Sequence, residues 1–207
     1  MNHRLEVNNL GKRFDNYWVF QKFNYMFESG KIYALTGPSG GGKTTLLNCI
    51  GRLLDTSEGT ILLDDEDVLS IKILNYYRNH IGYLFQNYAL VDEETIFQNL
   101  NIVKKHHKRE LLAVLRQYNL SSDYLDRSVF TLSGGEAQRV ALARLNLQNP
   151  TIILDDEPTG ALDHKNRDLV LQSLRKFADE GKIVIVATHD DTVMSFADEK
   201  VDISDYR

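Results

Sequence analysis

The chain has 207 residues, 43% hydrophobic and 26% charged, with 24 basic against 29 acidic side chains and a net charge of −5. That describes one compact unit with a sizeable core, and it argues against a protein that holds nucleic acid by bulk positive charge. A single cysteine, Cys49, excludes an intrachain disulfide and a cysteine-rich metal site.

Residues 1–9 are polar and lack the apolar run of a signal peptide. The longest apolar runs, such as 183–187, fall far short of the ~20 residues of a spanning helix, so no membrane crossing is expected. Phe23, Tyr25 and Phe27 alternate with polar neighbours, the period of a half-buried strand. Residues 31–36 read as a short apolar strand that ends at Gly37. A helix follows from Lys43 to about Leu53, with Leu46, Leu47 and Ile50 at helical spacing. Then come a strand at 60–63, a helix at 70–79 and a strand at 81–85. From 95 to about 119 strand signal fades. Leu111, Leu112, Val114 and Leu115 give a helical pattern there, behind the basic run 104–109. A second helix spans about 136–147 and is ended by Asn149-Pro150. Strand 151–154, helix 165–178 and strand 183–187 close the pattern. All-apolar strands alternating with helices predict a parallel sheet covered on both faces, with a helical insert.

Gly37-Pro38-Ser39-Gly40-Gly41-Gly42-Lys43-Thr44-Thr45 fits G-x-x-x-x-G-K-[ST], after a strand and opening a helix. Glycines let the backbone wrap a phosphate with its N–H groups inward, and a helix N-terminus adds positive potential. Lys43 supplies a point charge to the β- and γ-phosphates, and the Thr44 hydroxyl suits Mg²⁺. The Asn-Lys-x-Asp guanine reader of a GTPase is missing. Residues 152–154 form an apolar strand ending in Asp155, Asp156 and Glu157. One carboxylate there can hold Mg²⁺ and a neighbour can act as general base toward water.

Leu132-Ser133-Gly134-Gly135-Glu136, followed by Ala137-Gln138-Arg139, resembles the signature of the ATP-binding cassette (ABC) ATPases. The resemblance covers nearly the whole chain, and the motifs run in family order. It implies an α/β P-loop NTPase (RecA-like) core, residues 1–86 and 150–207, with an N-terminal antiparallel β subdomain and an inserted α-helical subdomain of about 87–149. It also implies two copies that sandwich two ATP molecules head to tail, with Ser133, Gly134, Gly135 and Glu136 of one facing the phosphate loop of the other. Residue by residue, Gln86 resembles the glutamine that senses Mg²⁺ and the attacking water. Asp156 resembles the metal-side aspartate, Glu157 the catalytic base, and Ala161-Leu162-Asp163 the loop that contacts the partner copy. His189 resembles the switch histidine that reaches the γ-phosphate. Phe14 matches the adenine-stacking aromatic, with Tyr17 and Trp18 as rivals. Asp155 stands where many relatives carry a small or apolar residue.

By this resemblance the chain is an ATP- and Mg²⁺-dependent ATPase subunit, peripheral on the cytoplasmic face of a prokaryotic membrane. It pairs with a second copy of itself and with an integral membrane permease; no nucleic acid is expected. Residues 46–51 and 156–163 are similar to the lipoprotein-release, macrolide-export and bacteriocin-export group, which implies export of a peptide, antibiotic or lipid-like substrate. A signalling ATPase that drives a membrane lever without transport is the alternative. A nucleic-acid-maintenance ATPase ranks lower, because the spacing from Gln86 to Ser133 has no room for long coiled coils. A docking groove for the permease is expected near 86–99, with Tyr88, Leu90, Ile96 and Phe97 as candidates.

Overall fold

The computed structural model describes residues 2–85, 87–157 and 164–206. Strands β1 (Arg4–Phe14) and β2 (Tyr17–Glu28) pair antiparallel, from Leu5 opposite Phe27 to Phe14 opposite Tyr17. Leu5 and Val7 are buried on β1 and alternate with polar neighbours. Asn9, at φ 48°, breaks the register, and burial resumes at Leu10. Strand β3 (Ile32–Thr36) leads through the phosphate loop into α1 (Lys43–Ile50). Strands β4 (Glu58–Leu63) and β5 (Glu66–Asp67) complete the antiparallel sheet, in the order β2-β1-β4-β5.

The helix expected from residue 70 begins later. Asp67 accepts from the Ser70 and Leu69 amides, and Lys72 is extended. Helix α2 is therefore only Ile73–Asn75, widening into a π-helical turn at Tyr76–His80. After β6 (Ile81–Leu84) come α3 (Ile96–Leu100), α4 (Lys108–Gln117) and α5 (Gly134–Gln148). On α4, Leu111, Val114 and Leu115 are buried while Lys108, Arg109 and Arg116 face water, the pattern of a surface helix laid on a core. The chain continues through β7 (Ile152–Asp156), α6 (His164–Asp179), β8 (Ile183–Ala187), α7 (Asp191–Phe196) and β9 (Glu199–Asp202).

The second sheet is parallel, in the order β6-β7-β8-β3-β9, with two cores separated by its plane. On β8, Ile183, Ile185 and Ala187 join Leu46, Leu47, Ile50 and Phe20 under the antiparallel sheet. Val184 and Val186 join Leu111, Leu142 and Leu174 under the helices. Each such fully buried Val or Ile contributes about 1.5–3 kcal/mol, so this strand needs both layers. Among the described residues no helix is long and apolar enough to cross a membrane.

The topology aligns three strand ends. Leu35 of β3 and Asp156 of β7 both lie opposite Ala187 of β8. The segments that leave those ends are the phosphate loop, Glu157 and Thr188-His189. They emerge at the carboxyl edge of the sheet, where open α/β folds bind ligands.

Candidate functional site

The phosphate loop is pinched between two neighbours. Gly37 has φ 132°, and a Cβ there would lie 3.1 Å from Ile203 and 3.3 Å from the Ser204 hydroxyl. Gly42 has φ 97°, and its Cβ would come within 2.9 Å of Val19. Side chains at either position would force the loop away from β2 or residues 203–204. The Gly41 amide donates to the Pro38 carbonyl at 2.9 Å, closing a tight turn. Gly42 also begins α1 without a side-chain cap, leaving the first helical N–H groups available to an anion. Lys43 is 8% exposed, and its ammonium donates to the carbonyls of Gly37 at 2.8 Å and Pro38 at 3.1 Å. A buried charge thus lies inside the loop that would wrap the phosphates.

Beside it, the Thr44 hydroxyl donates to the Asp156 carboxylate at 3.1 Å. Burial pushes the Asp156 carboxyl up; the Thr44 hydrogen bond opposes this and the Glu157 charge adds to it. Two adjacent hard oxygen donors, one anionic and kept partly from water, fit Mg²⁺. Glu157 turns away from the strand at φ 59°, and its amide donates to the Ala187 carbonyl at 2.9 Å. Its carboxylate lies 2.7 Å from Nδ1 of His189, a side chain that is 74% exposed. His189 is held in place by its neighbours: the Thr188 amide donates to the Leu35 carbonyl, and Asp190 caps α7.

Asp155 does not join this pair. It follows Ile153 on the helix-facing side of β7 and is 2% exposed. Burial first, then the charges of Asp156 and Glu157, hold its carboxyl well above the ordinary carboxylate range. Its Oδ2 atom finds no hydrogen-bond partner among the described residues.

Ser133 caps α5. Its amide and hydroxyl donate to the Glu136 carboxylate at 2.8 Å each, and its hydroxyl accepts from the Glu136 amide at 3.4 Å. The Tyr124 hydroxyl also donates to Glu136, and Arg127 lies 3.7 Å away. These donors, Tyr124 foremost, hold the Glu136 carboxyl down at about 2. A depressed carboxylate stabilises the fold above its unfolded pKa, and that contribution disappears as pH falls through the folded value. Glu136→Gln is therefore expected to lower the urea midpoint near neutral pH, with the gap to wild type closing between about pH 4.5 and 2; a pH-independent gap would sink the capping account. Ser133 and Gly134 are exposed. A Cβ on Gly135 would lie 2.5 Å from the Asn166 amide, and Asn166 also accepts from Arg139 at 2.9 Å, which fastens α5 to α6.

At the far end of the β1–β2 hairpin, Phe14 is 49% and Tyr17 65% exposed, with the Lys12 ammonium 4.9 Å over the Phe14 ring. Trp18 is half-buried under Arg13. Gln86 and the segment 161–163 with Asp163 lie outside the described residues.

The family model described as "ABC transporter" matches residues 20–160. The chain belongs to the ABC transporter family. Relatives that it matches are named ABC transporter ATP-binding proteins, and one cassette of similar structure has been solved with ADP and Pi bound. The chain is 38% identical to the uncharacterized ABC transporter ATP-binding protein YvrO of Bacillus subtilis, over 97% of this chain and 93% of that protein. It is also 38% identical to the sulfate/thiosulfate import ATP-binding protein CysA of Synechocystis, over 96% of this chain. The chain spans just over half the length of CysA (57%) and of the Mycobacterium tuberculosis relatives it matches (56%). Among solved structures, the dimeric cassette MJ0796 superposes with a TM-score of 0.83 at 31% identity, covering 97% of this chain and 95% of that one. The same cassette in a post-hydrolysis state bound to ADP and Pi gives 0.84 at 30% identity, over 97% and 94%.

This ABC subunit also carries an apolar groove of about 280 Å³, lined among others by Leu53, Tyr83, Phe85, Ala89, Val103 and Arg144. Tyr83 and Phe85 stack at 4.0 Å and 4° and form its wall. None of the four candidates expected from sequence lines this groove: Ile96 is fully buried in the helical core, Tyr88 and Leu90 pack against that core, and Phe97 is 43% exposed outside the groove. Leu53 and Arg144 are remote from residues 86–99 in sequence, and no local pattern marks them.

Proposed function

We propose that the chain is one of two identical ATPase subunits on the cytoplasmic face of a prokaryotic membrane, driving a separate membrane-spanning partner that exports a peptide, antibiotic or lipid-like substrate. The observation that carries the paired arrangement is the exposed start of α5. It is a helix N-terminus with Ser133 and Gly134 open to solvent, held rigid from inside its own chain by Glu136, while the phosphate loop takes its contacts from β2, β7 and residues 203–204. Such a terminus attracts phosphate, and in a head-to-tail pair it completes the site built on the other copy's loop.

In this reading residues 37–45 wrap the triphosphate, and Lys43 moves from its own loop carbonyls to the β- and γ-phosphate oxygens. Thr44 and Asp156 would hold Mg²⁺, with Gln86 as a further ligand, and the ion would supply charge neutralisation for the bound phosphates. Glu157 takes the proton of the attacking water. His189, hydrogen-bonded to Glu157, orients that carboxylate and reaches the γ-phosphate. Phe14 stacks on adenine, and Asp163 meets the partner copy. ATP closes the pair and hydrolysis reopens it, because the contacts to Ser133, Gly134 and Gly135 depend on the γ-phosphate. The segment 87–149 then swings against the core, 1–86 and 150–207. The groove beside Tyr83 and Phe85 receives a short helix of the membrane partner.

Export is supported by the likeness of residues 46–51 and 156–163 to the export-type group; the relatives above include an import protein. Direction is tested by cellular retention. With the wild-type subunit replaced by Glu157→Gln, the transported compound is expected to accumulate inside the cell. Reduced uptake in that strain would mean import.

A further inference from the structure

The basic run 104–109 has no part in the site described above. Lys104, Lys105, Lys108 and Arg109 fall within six positions of a chain whose net charge is −5. Lys105, Lys108 and Arg109 are exposed and form no ion pair among the described residues. Glu110, the acid that follows them, turns back to accept from the His107 amide at 2.7 Å. Lys108 and Arg109 also occupy the first turn of α4, where the helix dipole disfavours cations. These charges do not stabilise the helix that carries them; they raise the positive potential outside it. The run starts at the groove. Val103 is part of the groove wall, and the Lys104 ammonium donates to the carbonyl of Gln148, another wall residue, at 2.7 Å. Arg78, exposed and next to the wall residue Tyr77, is close enough to act on Lys104: burial first, then the Arg78 charge, lowers the Lys104 pKa. Two aliphatic side chains accompany these cations in the open, Ile102 at 58% and Leu74 at 73% exposure. Cations from two segments, mixed with exposed aliphatic groups, thus flank the groove.

We infer that this rim, Arg78 and Leu74 with residues 102–109, rests on the anionic headgroups of the bilayer around the membrane partner, so that the leaflet holds the subunit as well as the groove does. This rests on the reading above that the groove receives a membrane-spanning partner, because the rim then faces the bilayer. The chemistry favours lipid over an acidic segment of protein. The cations come from separate segments and are open to solvent, which suits a diffuse layer of negative charge better than a single carboxylate. Ile102 and Leu74 can enter the boundary between headgroups and acyl chains, where exposed aliphatic and basic groups act together.

The test floats the full chain on phosphatidylcholine vesicles made with and without phosphatidylglycerol. Binding is expected only with phosphatidylglycerol, and it should weaken as salt rises. Lys108→Gln with Arg109→Gln should lower the partition coefficient about twentyfold, at about fivefold per cation facing an anionic surface. Adding Lys105→Gln should lower it again. Lys22→Gln with Lys200→Gln removes two exposed cations elsewhere and should change it less than about twofold. All these variants should keep wild-type ATP turnover, since none alters the phosphate loop, Asp156, Glu157 or His189. A second readout serves if a charge variant does not fold: Ile102→Cys carrying a polarity-sensitive dye should shift to the blue on binding, while buried Cys49 stays unlabelled. Equal binding to both vesicles, an equal loss in the Lys22 and Lys200 control, or an unshifted dye overturns the lipid contact. So does a wild-type chain that ignores vesicles yet loses its membrane partner in co-purification when Lys108 and Arg109 are changed, which would assign the rim to an acidic protein segment. The vesicles hold no membrane protein, so the two readings separate. If no membrane partner co-purifies, the groove reading fails, and phosphatidylglycerol-selective binding through residues 102–109 still supports the lipid contact.

Discussion

Glu157→Gln is expected to bind ATP with near wild-type affinity, to release phosphate at least a hundredfold more slowly, and to accumulate as a pair of copies. The substitution keeps size and one carbonyl oxygen. That oxygen can still face Nδ1 of His189, now 2.7 Å from the carboxylate, so the local arrangement survives. What disappears is a group able to take a proton from water. A positioned general base contributes about 10²–10⁴ in rate, which corresponds to about 3–5 kcal/mol of barrier. Affinity is spared because Glu157 contacts His189 and the Ala187 carbonyl, whereas the phosphate loop is built by Gly37, Gly42, Lys43 and Thr44. Pairing then persists because the γ-phosphate that holds it is no longer removed. Phosphate release, an ATP titration and light scattering measure the three effects separately. Wild-type turnover would remove Glu157 from the role of base.

The parts of this site that sequence made legible are those whose chemistry is local. A loop that wraps phosphate must place glycines and a lysine at fixed spacing, so residues 37–45 carried their own evidence; so did Ser133 with Glu136, a capping box within one helical turn. Strand β8 was readable because both its faces are buried. Strand β1 was not, because the left-handed Asn9 resets its alternation halfway. Strand β9 was missed for a different reason: Glu199, Lys200 and Asp202 surround one buried apolar residue, Val201. The side on which Asp155 falls depends on the register of β7 against β6 and β8, which three successive carboxylates conceal. The groove is the extreme case. Leu53, Tyr83, Val103 and Arg144 come from four separate segments, so only the packed chain assembles them.

Lys43→Ala is expected to weaken ATP binding about tenfold to a hundredfold, the effect of losing a charge-assisted hydrogen bond of about 1.5–3 kcal/mol. The substitution also acts on the loop itself. The Lys43 ammonium ties down the carbonyls of Gly37 and Pro38, and alanine would release both. A drop in ATP affinity could therefore come from a lost phosphate contact or from a loop that no longer holds its shape. The two causes separate by ligand. AMP has neither a β- nor a γ-phosphate, so the lost charge leaves its affinity nearly unchanged, and the deficit should grow from AMP through ADP to ATP. A loop that has opened would lose all three alike. Lys43→Arg sharpens the contrast: it keeps the positive charge, but its longer planar fork does not fit a site where the lysine side chain is 8% exposed. Calorimetric titration of the three nucleotides against both variants should give a graded loss for alanine. A uniform loss would shift the role of Lys43 from binding phosphate to holding the loop, and unchanged ATP binding would take it out of the site altogether.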